Sequence, residues 1–274
     1  MMGAVCGDVI GSVYEFTKRK GKDFEFFHAA AKTTDDSYHT IAMAEAILTG
    51  QPYEKLLVDF FWKYPDGGYG GRFWDWAKLG GGAPYNSFGN GAAMRVSPAA
   101  WIHDTLEETL STAEKYTAVT HNHPEGIRGA KAIATAIFMA RNGSTAAEIR
   151  KFIQTEYKYD LSLSLDAMRP TARFDETCQV TVPQALTAAL EATDFNDALR
   201  NAISLGADSD TVAAIAGSVA EPLFGGIPEE TLAFVWQRLN AELKKIVLKF
   251  AEKYRLEHLK AIRAQPVDVL KIQL

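Results

Sequence analysis

The chain has 274 residues, 47% of them hydrophobic and 23% charged, an ordinary globular composition with enough apolar material for a sizeable core. A net charge of -5 excludes the basic stripe that a nucleic-acid backbone requires, so nucleic acid is not expected as a partner. Cys6 and Cys178 stand far apart without a CxxC pair, and there is neither a basic leader nor an apolar run of membrane-spanning length; this argues against a disulfide framework, a structural zinc site and a membrane partner, and for a cytoplasmic protein.

The first element is "GDVIGSVYEF", where Gly3, Gly7 and Gly11 at four-residue spacing give a smooth helix face that another backbone can approach. Glu15 lies one turn beyond and reads equally well as a solvated helix-end carboxylate. The acidic cluster "TTDDS" then precedes a helix over 37–48 that Gly50 ends, and a second helix follows over 52–63. Residues 64–91 are rich in glycine and aromatic side chains and read as a binding loop without regular structure. Helices are expected over 92–101 and 105–117, and from Pro124 to the stop at Asn142-Gly143. Further helices fall at 145–156, 182–192 and 228–239, with another behind "SLGADSDTVAAIAGSVAE". Leu243, Ile246, Val247, Phe250 and Tyr254 mark the last amphipathic helix. Strand signals are nearly absent and no linker divides the chain, which predicts one compact all-α domain over 1–274.

Two helix entries look alike: Thr34, Asp35 and Asp36 in one, Asp208, Asp210 and Thr211 in the other. Side-chain oxygens at such positions accept hydrogen bonds from the free N–H groups of a first turn, so capping alone accounts for either cluster. Capping does not require both. "SFGNGAAMR" offers Gly89, Asn90 and Gly91 as a backbone concavity for an anion ahead of a helix, a weak signal by itself.

Taken together and in order, GD(x)6E at 7–15, TDDS at 34–37, SFGNGAAMR at 87–95, THNHPEG at 120–126 and LGADSDT at 205–211 resemble the ADP-ribosylglycohydrolase family, which includes the dinitrogenase reductase-activating glycohydrolases. The resemblance runs from about residue 3 to residue 226. It implies a compact orthogonal multi-helix bundle holding two divalent cations, Mg²⁺ or Mn²⁺, in a cleft where the bond from the distal ribose of ADP-ribose to a modified group is hydrolysed. The substrate implied is an ADP-ribosylated protein, such as one modified on arginine, or a small-molecule conjugate, with ADP-ribose as product; a monomer is the default.

Carried over residue by residue, the resemblance puts the metals on Thr34, Asp35, Asp36, Asp208, Asp210 and Thr211. Hard oxygen donors suit such ions. It gives catalysis to Glu15, with Asp36 able to share proton transfer, and ADP-ribose binding to Ser87, Phe88, Gly89, Asn90, Gly91 and His121. Phe88 suits stacking on adenine and equally suits core packing; Arg95 suits a phosphate or a salt bridge. His39, four residues after Asp35, is expected to orient that ligand or meet solvent. Two positions depart from the family pattern: Ala207 stands where a second glycine is common, and Ser37 where a threonine is common. Two rivals remain: "DSDTV" fits the aspartyl-nucleophile pattern of a Mg²⁺-dependent phosphatase acting through Asp208, and the chain could bind ADP-ribose without turning it over.

Overall fold

The computed structural model describes residues 1–259 and Ile262, so the last stretch of the expected 1–274 domain lies outside the described residues. The described residues form α-helices and two short 3-10 helices without a β-strand. In chain order the first helices are α1 (Met2–Gly11), α2 (Asp35–Thr49), α3 (Tyr53–Lys63), α4 (Gly71–Lys78) and α5 (Gly91–Met94). After a 3-10 helix at Ser97–Trp101 come α6 (Leu106–Thr117), α7 (Pro124–Arg141), α8 (Ala146–Tyr157), α9 (Leu165–Met168) and α10 (Cys178–Leu190). The chain continues through α11 (Phe195–Ile203), α12 (Ser209–Leu223), α13 (Glu229–Trp236) and α14 (Ala241–Lys253) to a 3-10 turn at Glu257–Leu259.

The centre of the molecule is the pair α1 and α12, both buried along nearly their whole length. Their backbones touch. A Cβ added to Gly3 would lie 2.1 Å from the Gly217 carbonyl oxygen, one on Gly7 2.0 Å from that of Ala213, and one on Gly11 2.6 Å from the Asp210 Cα. The glycine stripe read from the sequence is therefore the seam of the fold. It delivers the N-terminus of α12, with Asp210, to the C-terminal end of α1. The seam is wrapped by α2, α7, α10 and α11 through apolar side chains such as Ile41, Ile133, Leu186 and Leu199, all at 0% exposure.

Four elements differ from the sequence expectation. The segment 92–101 breaks into α5 and a 3-10 helix, because Pro98 lacks an N–H and its ring clashes with the carbonyl of residue 94 in a continuous α-helix. The glycine-rich stretch 64–91 contains α4, where Phe73, Trp76 and Ala77 are buried. Helix α10 begins at Cys178, ahead of the expected 182, and carries Pro183 inside it. Helix α11 was not expected; Asp194 caps it by accepting from Asp197 N at 2.8 Å.

Candidate active site

A cavity of about 450 Å³ opens where the N-termini of α2 and α12 face the loop before α5. Its walls include Glu15, Asp35, Asp36, Asp208, Asp210, Thr211, Ser87, Phe88, Gly89, Asn90, Gly91 and His121. Every residue expected at the site is there except Thr34, which lies just behind the wall, 5% exposed.

The acidic end is built from two helix entries and the end of α1. Carboxylate oxygens of Asp8, Asp36 and Asp210 lie within 4.8 Å of one another, as do those of Glu15, Asp208 and Asp210. Asp36, Asp208 and Asp210 are at most 5% exposed. Burial raises the pKa of Asp36 and Asp210 well above the usual carboxylate range, and repulsion adds to it, from Asp210 on Asp36 and from Asp208 on Asp210. Asp208 is pushed up to about 7 and Glu15 to about 8, in both cases mainly by burial, with Asp210 the next cause for Glu15. Such a cluster demands positive charge. Asp36 Oδ1 is buried with no hydrogen-bond partner, and every donor in the set is a hard oxygen, so the residues fit divalent cations of the Mg²⁺ or Mn²⁺ kind. Neither Asp36 nor Asp208 serves as a side-chain cap of its helix.

Asp8, the acid of the GD(x)6E pattern, has a role that the sequence does not assign. Its carboxylate accepts from Thr34 N at 3.0 Å, Thr34 Oγ1 at 2.6 Å and Ser37 N at 3.1 Å, and from the Ser37 hydroxyl. Asp8 thus fixes the entry of α2, and serine in place of threonine at 37 keeps the hydroxyl that this needs. A lone acid inside the apolar run of α1 was the legible signal. Thr211 Oγ1 donates to Asp36 Oδ2 at 3.2 Å, tying the two clusters together across the seam.

The loop before α5 works differently from the expected row of free N–H groups. Gly89 N donates to Ser87 Oγ at 3.2 Å and Asn90 N to the Glu176 carbonyl at 2.6 Å. The Asn90 amide donates to Asp208 Oδ2 at 2.7 Å and to Thr181 Oγ1 at 3.2 Å, so this residue orients an acid of the opposite end. Phe88, 40% exposed, lies on the rim and not in the core. His121 is 6% exposed, and its pKa is held well below the ordinary value by burial and by Arg95. His39 makes no hydrogen bond to Asp35; both its ring nitrogens are buried without partners, and it packs on Tyr69 and Phe73.

Two groups of lining residues were missed. Gly70 and Gly71 bring the N-terminus of α4 to the wall together with Arg72, which donates to the Tyr85 carbonyl. Arg95 is a fully buried cation with no carboxylate partner among the described residues. Phe174, Asp175 and Glu176 come from the loop before α10, pinned by the Asn90 bond and by Cys178 N donating to the Phe88 carbonyl at 3.0 Å. Glycine density hinted at the first group; nothing local in the sequence marks the last. The phosphatase rival loses its context, since no strand leads into Asp208 among the described residues.

An all-α protein that gathers carboxylates from several helix ends into one deep cleft is, by its relatives, a glycohydrolase. Over 288 residues it is 26% identical to ADP-ribosylarginine hydrolase Tri1 of Pseudomonas putida (strain GB-1), covering 89% of this chain and 76% of that protein. It is 26% identical to ADP-ribosylhydrolase ARH3 of Xenopus tropicalis, over 92% of this chain and 93% of that one. A solved structure described as an ADP-ribosylglycohydrolase-related protein complex shares the fold, with a TM-score of 0.66 at 20% identity over 93% of this chain and 95% of that one. The family model for ADP-ribosylglycohydrolase matches residues 1–259, and the chain belongs to that family.

Proposed function

We propose that this glycohydrolase cleaves the bond between the distal ribose of ADP-ribose and a guanidinium nitrogen of ADP-ribosylated arginine, with two divalent cations at the acidic end. The observation that carries the reading is one cavity lined both by the carboxylates of Glu15, Asp35, Asp36, Asp208 and Asp210 and by Arg72, Arg95 and the α4 N-terminus. ADP-ribose has the matching polarity, hydroxyl-rich at the ribose and anionic at the diphosphate. Thr34, Asp35, Asp36, Asp208, Asp210 and Thr211 would hold the ions, which supply charge to bind ribose hydroxyls and to acidify water.

The chain's own groups divide the remaining work. Ser87, Gly89 and Gly91 line the diphosphate path, and Phe88 offers an exposed ring face to adenine. Glu15 is half-buried beside Asp208 and Asp210 and accepts a proton from the water that attacks the anomeric carbon. The carbon–nitrogen bond breaks as the carbon–oxygen bond forms, and the guanidine leaves with the electron pair and takes up a proton. Asp36 is 2% exposed and sits deeper than Glu15, so we assign it to metal and Glu15 to proton transfer.

The arginine linkage is supported at the mouth. Phe16, 77% exposed, follows Glu15 directly and stacks on Phe174 with ring centroids 5.9 Å apart. Asp175 and Glu176 come next, and neither is ion-paired among the described residues. Flat aromatic faces beside carboxylates without an ion-pair partner suit a planar cation, although Asp175 Oδ1 already accepts from Thr177 N at 2.8 Å. ADP-ribosyl-arginine, ADP-ribosyl-serine and O-acetyl-ADP-ribose, each assayed with and without Mg²⁺, test the reading: ADP-ribose released fastest from the arginine conjugate supports it. Glu15→Gln is expected to keep ADP-ribose binding and lose turnover; release from no conjugate by the wild type leaves only a binder.

A further inference from the structure

Two contacts fix the chemistry of His121. Its Nδ1 lies 3.1 Å from Nη2 of Arg95 and 2.8 Å from the Thr120 hydroxyl, to which Arg95 also donates. A guanidinium has only donors and keeps its protons inside proteins, so Nδ1 must present a lone pair to it. In a neutral imidazole the proton then sits on Nε2. That nitrogen faces the loop before α5: a Cβ on Gly91 would fall 2.9 Å from it, and one on Gly89 3.6 Å. Nε2 has no hydrogen-bond partner in the chain among the described residues, and His121 lines the cavity at this point.

We propose that Arg95 is a positioning residue that locks His121 as a neutral Nε2–H donor aimed at a phosphoryl oxygen of the bound diphosphate, an inference that rests on the ADP-ribose reading above. Arg95 acts through His121 and not on the ligand, because its guanidinium is fully buried, with Nε and Nη1 unpartnered. The groups facing His121 are Arg95 behind α5, His39 of α2, Arg72 of α4 and the Tyr85 ring, its centroid 6.0 Å away. None is a carboxylate. A second proton would have to enter at Nδ1, against the guanidinium, so the imidazole stays neutral and the donor is the same at every working pH.

The test reads the tautomer directly in the full-length wild-type protein, by long-range ¹H–¹⁵N spectra of ¹⁵N-labelled histidines with His121 assigned through His121→Gln. Nδ1 is expected to be unprotonated and Nε2 protonated, unchanged from about pH 5.5 to about pH 8.5. In Arg95→Met the constraint is gone: the proton is shared between Nδ1 and Nε2, His121 protonates more readily than in the wild type although burial still opposes its charge, and calorimetric ADP-ribose affinity falls about tenfold at alkaline pH and recovers as the ring protonates. Arg95→Lys still donates to Nδ1 and restores the wild-type spectrum. A wild-type His121 with its proton on Nδ1, or one titrating near about 6.5, overturns the lock whatever the variants do. The expected tautomer in a protein that does not bind ADP-ribose overturns the phosphoryl target along with the functional reading, and leaves the Arg95 lock standing.

Discussion

Removing divalent cations tests the acidic end most directly, because the site then carries its own repulsion. Oxygen atoms of Asp8, Asp36 and Asp210 lie within 4.8 Å of one another; two unit charges at that distance repel by about 3.5 kcal/mol at an effective dielectric near 20. Three such pairs would approach the whole stability of a domain, so the metal-free protein binds protons instead. Asp208 rises from 3.8 to about 7 and Glu15 from 4.5 to about 8. An acid whose pKa is raised on folding holds its proton longer in the folded state, so stability is greatest below the unfolded value and is lost as pH climbs to the folded one. Between about pH 5.5 and pH 7, Asp208 alone accounts for about 2 kcal/mol of that loss. Glu15 extends the loss to about pH 8, more weakly because it is half exposed. A chelated sample is expected to melt about 5–10 °C lower at pH 8.5 than at pH 5.5. Mg²⁺ or Mn²⁺ at about 100 times Kd should recover about 2.7 kcal/mol per site. Differential scanning calorimetry at both pH values, with chelator and with metal, decides it. Equal melting temperatures for chelated protein at the two pH values, with no rise on adding metal at pH 8.5, would refute the reasoning.

Gly7→Ala drives a methyl group into the Ala213 carbonyl of α12; it should destabilise by about 3 kcal/mol or more and lower the melting temperature by about 6–12 °C. Asp8→Ala leaves Thr34 N and Ser37 N without their acceptor and should weaken Mn²⁺ binding about 10–100-fold in a calorimetric titration. Phe174→Ala removes the partner of Phe16. It should lower kcat/KM on ADP-ribosyl-arginine about 5–10-fold while ADP-ribose affinity stays put; an equal loss on all three conjugates would show that the ring pair does not touch the leaving group.

The parts of the site legible in the sequence are those whose chemistry is unusual for their local setting. Paired acids at two helix entries exceed what capping needs, and glycines at four-residue spacing have no use on a helix unless another backbone lies against them. Both features survive in the structure as the carboxylate cluster and the α1–α12 seam. Arg95 was visible only as a basic residue in a motif, because its meaning comes from Thr120 and His121, which are distant in sequence. The loop carrying Phe174 and Glu176 has ordinary loop composition and reaches the cavity through backbone bonds to Phe88 and Asn90. Helix α4 was hidden for a different reason: the glycines around it masked a short amphipathic stretch whose Phe73 and Trp76 find their burial only against other elements.

The polarity of the cavity explains how a chain with a net charge of -5 can hold an anionic ligand. Net charge acts over the surface, whereas a buried site answers to the few charges that water does not screen. At the acidic end those charges are carboxylates that repel any phosphate until cations balance them. Arg95 has no carboxylate partner among the described residues, and burial keeps both His39 and His121 neutral, with Arg95 the next cause in each case. A neutral histidine is the useful state there. It adds a directed donor without a further charge next to the guanidinium, and it leaves the positive potential to Arg72 and Arg95. Bound in reverse, ADP-ribose would put its diphosphate against Asp36 and Asp210 and its ribose hydroxyls against Arg72. On the proposed reading, the charges lining the cleft would select the orientation that brings the anomeric carbon to Glu15.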